Sequence, residues 1–142
     1  MSSNLSAFLK PNVKQIENVK FIASKRFTDD KGKPVEWEIG CISAEEYAKI
    51  RNSSIRNVPV PGKRNQFTQQ FDTTRFQSEV CAKCTVFPDL NDAELQNSWG
   101  VLSAPSLIAA MLIGGEFDDY VAKVFEINGF RSDEELTKEA KN

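Results

Sequence analysis

The stretch Val86-Phe-Pro-Asp-Leu-Asn-Asp-Ala-Glu-Leu-Gln-Asn-Ser-Trp-Gly-Val101, running on to Glu126-Ile-Asn-Gly-Phe130, is the most apolar part of the chain and the best punctuated. Its own signals divide it into three helices. Asn91 ahead of Asp92-Ala-Glu94 is a cap-like start to a short helix that bears Leu95 and closes at Trp99-Gly100. Ser103, with Pro105 in the first turn, opens a second helix from Ala104 to Ile113, ended by Gly114-Gly115. The third covers Glu116 to Ile127, with Phe117, Tyr120, Val121, Val124 and Phe125 on one face and Asn128-Gly129 as its stop. Helices joined by such short loops must pack on one another, so the stretch predicts the helical core. Phe87, Leu95 and Val121 are expected inside it.

Upstream, Asp72 offers an N-cap to a helix whose stripe is Phe76, Val80, Cys84 and Phe87, ended by Pro88. Ser43-Ala-Glu-Glu46 is a capping box that starts another helix, about Ala44 to Asn52. Between them, residues 55–71 hold Pro59, Pro61, Gly62, Lys63 and Arg64, no acid and no stable period, which reads as an exposed loop. Nearer the N-terminus, Val19, Phe21 and Ala23 alternate with Lys20, Ile22 and Ser24. Asp29-Asp-Lys-Gly-Lys33 supplies turn chemistry, and Val35, Trp37, Ile39 and Cys41 alternate again. Residues 17–42 therefore predict a β-hairpin, with the lysines of one strand facing Glu36 and Glu38 of the other. Residues 1–12 form an arm whose Leu5, Phe8 and Leu9 share one helical face before Pro11, and residues 131–142 a sparse, charged, weakly packed tail. The expected architecture is α+β, one domain over residues 1–142: an N-terminal β-hairpin packed on a predominantly helical remainder, residues 43–130.

Function classes fall away in turn. The chain has no histidine, which removes the usual general base near neutral pH together with Ser-His-Asp and Cys-His arrangements. The paired acids Glu45-Glu46, Asp118-Asp119 and Glu134-Glu135 sit at helix starts, where the dipole favours them. Pro61-Gly-Lys-Arg64 lacks the first glycine and the Ser/Thr of a nucleotide-binding loop. Cys81-Ala-Lys-Cys84 is half of a zinc or redox motif, but zinc wants four ligands and only Cys41 remains. The pair lies on an apolar stripe and reads as two small core side chains. No enzyme, metal or cofactor is expected. No run approaches the roughly 20 apolar residues that span a bilayer, no secretory leader is visible, and three cysteines suit a reducing compartment, so a cytoplasmic protein is expected.

Charge is polarised along the chain. Residues 1–75 carry 13 Lys/Arg against 8 Asp/Glu, a net of +5, and residues 76–142 carry 5 against 12, a net of −7. Such halves favour docking of one on the other, or head-to-tail contacts in a homo-oligomer, over general polyanion binding. Arg51, Arg56, Lys63 and Arg64 with Phe67 and Phe71 leave one alternative open, a small nucleic-acid-binding regulator using the segment Arg51 to Phe71. Four charges make a small footprint. Trp99, Leu102, Leu107, Met111, Leu112 and Phe117 divide between core packing and a groove for an amphipathic partner helix, with Met111 and its neighbours as the place where such a groove opens.

Two segments resemble the XkdN-like tail assembly chaperones of phages and prophages of Gram-positive bacteria. They are Ser24-Lys-Arg-Phe-Thr-Asp-Asp-Lys-Gly-Lys-Pro-Val-Glu-Trp-Glu-Ile39, and Phe87 to Val101 with its extension to Phe130. The likeness covers most of residues 5–130 in order and spacing. Trp99 stands where the family commonly has tyrosine, and neither the Cys81/Cys84 pair nor the Lys63-Arg64 loop belongs to the family pattern. The resemblance implies a non-catalytic protein that shields the long helical tape measure protein while a long tail is built and is absent from the mature virion. It further implies that a longer, frameshifted form recruits tail tube protein, with residues 131–142 as the junction.

Overall fold

In the computed structural model, which describes residues 3–131, the hairpin is built around Trp37. Strand β1 (Val19–Phe21) runs antiparallel to β2 (Trp37–Ile39) with Val19 opposite Ile39 and Phe21 opposite Trp37. The ladder then opens, and the segment between the strands closes again at a Thr28–Pro34 bridge. In that turn Asp29 Oδ1 accepts from the amides of Lys31 and Lys33, and Gly32 takes φ +78°. Lys20 faces Glu38 across the pair, while the Glu38 carboxylate accepts from the side-chain NH₂ of Asn18 at 3.3 Å.

The sheet has a third strand that the sequence reading missed. Helix α3 (Thr73–Cys84) begins as expected, with the Asp72 carboxylate accepting from the Arg75 amide, but it stops one turn early. Thr85–Phe87 is β5, antiparallel to β2 on the side away from β1. Phe87 is thus not on the helical stripe and not inside; it is half exposed. The edge of β2 receives a segment already inclined to extend: Thr85 and Val86 are β-branched and the ring of Pro88 forces Phe87 extended. The Phe87–Pro88 bond is cis. Thr85 Oγ1 donates to the Cys81 carbonyl at 2.7 Å and lies 2.6 Å from the Tyr120 hydroxyl, which fastens the helix end to the strand. Gly40 lets the strands close. A Cβ there would stand 2.9 Å from Asn18 Oδ1 and 3.2 Å from a Val86 methyl.

The helices follow their punctuation. Ser43 and Glu46 make the capping box of α2 (Ala44–Ser53), and Ser103 caps α5 (Ala104–Met111). Asp92, one residue later than expected, caps α4 (Ala93–Trp99), which ends at left-handed Gly100. Gly114 and Gly115 do not end α5. They form the first turn of α6 (Gly114–Asn128), whose start is held by Glu116 Oε1 accepting from the Ile113 amide at 3.0 Å. The hairpin is bolted to these helices at two places. Arg26 reaches the Met111 carbonyl at 2.6 Å and Glu116 at 3.2 Å, while Asn128 Oδ1 accepts from the Ile42 amide and its NH₂ donates to the Gly40 and Val124 carbonyls.

Trp37, Ile39, Val80, Cys81, Leu107, Ile108, Tyr120 and Val124 form the dry centre, with Trp37 edge-on to Tyr120 at 5.3 Å. Val121 belongs to it and Leu95 is half-buried against it. This is the expected α+β arrangement. Residues 55–71, expected as a loop, are instead a two-stranded ribbon, β3 (Ile55–Pro59) paired in register with β4 (Phe67–Phe71). Its base is pinned by the Asp72 amide donating to the carbonyl of fully buried Ser54. Val60 to Gln66 makes the tip, with Gly62 and Asn65 at positive φ. The short helix α1 (Ser3–Ser6) and a 3-10 turn at Lys10–Asn12 make up the arm. From Ser132 on, the expected weakly packed tail lies outside the described residues.

Candidate partner-binding site

Where the turn end of the hairpin meets β5, α4 and α5, the surface dips into an apolar slot of about 160 Å³. Trp37 and Met111 form its floor. Phe27 and Val35 come from the hairpin, Leu95 from α4, and Phe87 with Pro88 stands at the lip. Trp99 extends the rim, its ring edge-on to Phe27 at 6.2 Å. An apolar cavity of about 150 Å³ accepts a benzene ring, so the slot has room for one phenyl or leucyl side chain. Three exposed acids, Asp89, Asp92 and Glu94, lie in the chain between Pro88 and Leu95, which both line the slot, and Asp92 also caps α4 by accepting from the Leu95 amide at 2.9 Å.

The six residues picked out in the sequence divide sharply. Met111 is the slot's floor and Trp99 its rim. Leu102 is 95% exposed on the turn between α4 and α5. Leu107 and Leu112 are buried in the core cluster, where α3 packs on α5. Phe117 is half-buried against the core. Sequence reasoning missed Phe27, Val35 and Phe87 as slot residues. The turn at Asp29–Lys33 and the Phe87-Pro88 pair were the signals that could have placed them.

The basic segment is not one patch. Arg51 lies over the rings of Phe71 and Phe76 at 5.5 and 5.9 Å and donates to the Tyr47 hydroxyl, so it packs at the ribbon's base. Arg56, Lys63, Arg64 and Phe67 are exposed along the ribbon. Cys81 and Cys84 sit in the core. Burial pushes the Cys81 thiol far up, and raises Cys84 to about 12 against a hydrogen bond from Asn128 that pulls the other way. Such thiols do not ionise near neutrality, and among the described residues no group of three His, Cys, Asp or Glu side chains is placed to hold a metal ion. Among the described residues no helix is long and apolar enough to cross a membrane.

Comparison with known proteins agrees along nearly the whole chain. The family model described as "Phage XkdN-like tail assembly chaperone protein" matches residues 5–141. Two proteins of Bacillus subtilis (strain 168) are each 29% identical over 143 residues. Phage-like element PBSX protein XkdN aligns over 98% of this chain and 94% of its own length, and the uncharacterized protein YqbN over 98% and 93%. The crystal structure of YqbN superposes with a TM-score of 0.73 at 24% identity, covering 89% of this chain and 96% of that one, which is a likeness of fold.

Proposed function

Because this chain belongs to the family of XkdN-like phage tail assembly chaperones, we propose that its client is the tape measure protein and that the slot above Met111 takes the client's apolar side chains. A long helix that will line a tail has no partner until the tube forms around it, and its apolar stripe invites aggregation. A receptor that holds such side chains one at a time shields the stripe and still releases it. The observation that carries this reading is the slot itself: a dry floor of Trp37 and Met111 opened to solvent under half-exposed Phe87. Exposed Leu102 and the Trp99 rim extend the contact. The chaperone acts in the host cytoplasm without catalysis, and a longer frameshifted form brings tail tube protein to the coated client.

Co-expression tests it. The wild-type chain keeps tape measure protein soluble and co-purifies with it, and Phe87→Ala, which removes the half-exposed ring without adding a charge opposite Glu38, lowers the recovered client at least about tenfold, as loss of a central interface anchor does. Equal recovery with Phe87→Ala removes the slot from the account. The basic, acid-free ribbon supports the other reading, nucleic-acid binding through Arg56, Lys63 and Arg64. Salt-dependent DNA retention with no client capture decides for it.

A further inference from the structure

At the base of the ribbon, α2, α3, β4 and the end of α6 leave an aromatic cleft that shares no lining residue with the slot. Its inner lobe, about 170 Å³, is walled by half-buried Phe71 and Phe125 beside buried Phe76. The wider outer lobe is faced by Phe130, stacked on Tyr47 at 4.3 Å. Arg51 and Arg131 line both lobes, and among the described residues no acid lines either. Arg51 is fixed in place, over the rings of Phe71 and Phe76 and donating to the Tyr47 hydroxyl at 3.2 Å. Apolar rings beside two guanidinium groups make a receptor for an acidic segment with one apolar anchor.

We infer that the cleft is the docking site of the chain's own next segment, Asp133 to Leu136, with Leu136 as the anchor for the inner lobe and the three acids as partners for Arg51 and Arg131. Three observations select that occupant. In position, Arg131 is the last described residue and lines both lobes, so the segment that follows it is tethered at the cleft. In charge, Asp133, Glu134 and Glu135 are the first charged residues after Arg131, and no lysine comes before Lys138. In size, Leu136 is the one large apolar residue of 132–142, and an apolar space of about 150 Å³ already accepts a benzene ring. Tethering by a few residues gives the segment an effective concentration on the order of millimolar. An acidic segment of another protein therefore enters the cleft only by displacing it.

A fluorescein-labelled peptide of residues 132–142, titrated with the full chain and followed by anisotropy, tests it. The peptide binds the Leu136→Asp chain, whose own anchor is gone, and binds wild type at least about tenfold more weakly, because the tethered segment competes. A peptide that itself carries Leu136→Asp binds neither. Gln77, half-buried in the wall of the inner lobe, gives a second test that leaves the aromatic rings and both arginines alone. In the Leu136→Asp background, Gln77→Glu weakens peptide binding and Gln77→Lys strengthens it, each by roughly threefold, as one added charge at a partly exposed site does. A merely structural role for Gln77 would not reverse sign with the charge. Trypsin reads the tethered segment directly: it cuts slowly after Arg131 in wild type and at least about tenfold faster in Leu136→Asp, and the wild-type rate does not change on dilution. Equal peptide binding to wild type and Leu136→Asp, binding to neither, Gln77 variants that shift in the same direction, or equal cutting of the two chains overturns the inference. Protection of wild type that fades on dilution also overturns it, since the segment then sits in another copy rather than its own cleft.

Discussion

Leu107→Ala and Leu102→Ala make a pair that asks whether α5 is core or contact surface. Leu107 is fully buried between α5 and α3, and Leu102, on the turn just before that helix, is 95% exposed. Truncating a buried leucine removes transfer free energy and leaves a cavity, together about 2 to 5 kcal/mol, whereas an exposed side chain away from special contacts changes stability by less than about 0.5 kcal/mol. With a urea m-value of roughly 2 kcal/mol/M for a chain of this size, Leu107→Ala lowers the unfolding midpoint by roughly 1 to 2.5 M, and Leu102→Ala leaves it in place. The assay is urea unfolding followed by tryptophan fluorescence, with far-UV circular dichroism as a second probe to check that the transitions coincide. The same two proteins are then tested for client capture under native conditions. Folded Leu107→Ala captures client normally, and Leu102→Ala captures less. A Leu107→Ala midpoint within the error of wild type would refute the packing described for α5, whatever the capture result.

Other consequences are as direct. Asn128→Ala removes the acceptor of the Ile42 amide and the donor to the Gly40 carbonyl, leaving the hairpin's exit unpaired at cost of about 1 to 3 kcal/mol, read as a lowered urea midpoint. Glu116 is held below its ordinary pKa of 4.5, chiefly by hydrogen bonds from the Ser24 hydroxyl and the Ile113 amide, with Arg26 adding to them. A depressed carboxylate contributes stability above its unfolded pKa and loses it as pH falls through the folded one, so Glu116→Gln flattens the loss of stability below about pH 4.5, seen in thermal melts across pH. Of the three thiols, a colorimetric disulfide reagent at pH 8 titrates exposed Cys41 quickly and reaches Cys81 and Cys84 only in denaturant. Rapid reaction of all three in the native state would contradict the core assignment of the pair.

What could be read without coordinates was whatever a few neighbouring residues decide. The Ser43/Glu46 box, the Asp72 cap and the Gly129 stop are local chemistry, and each sits where the spacing puts it. The hairpin turn is of this kind too. β5 escaped because three residues form a strand only when a distant edge receives them, here β2, and the apolar stripe of α3 continues in register through Phe87. The ribbon escaped for another reason. Both its faces are largely exposed, so Ile55 to Pro59 and Phe67 to Phe71 lack the alternation that one buried face imprints. For the site, Trp99 and Met111 were visible as apolar residues in a helical array. Their neighbours Phe27, Val35 and Trp37 come from the hairpin, and it takes long-range contacts such as those of Arg26 and Trp37, which seat the hairpin on α5 and α6, to bring them there.

The clasp at the ribbon's base has a use of its own. Since the Asp72 amide meets the Ser54 carbonyl beneath the two strands, everything between these residues leaves and re-enters the body at one point. To the rest of the molecule the ribbon's length is nearly invisible, because each doubling of a closed loop costs only about 0.6 kcal/mol. The chain therefore carries a built-in cartridge bay, where an engineer can insert an epitope or a fluorophore-binding peptide at the ribbon's tip while the body folds unchanged.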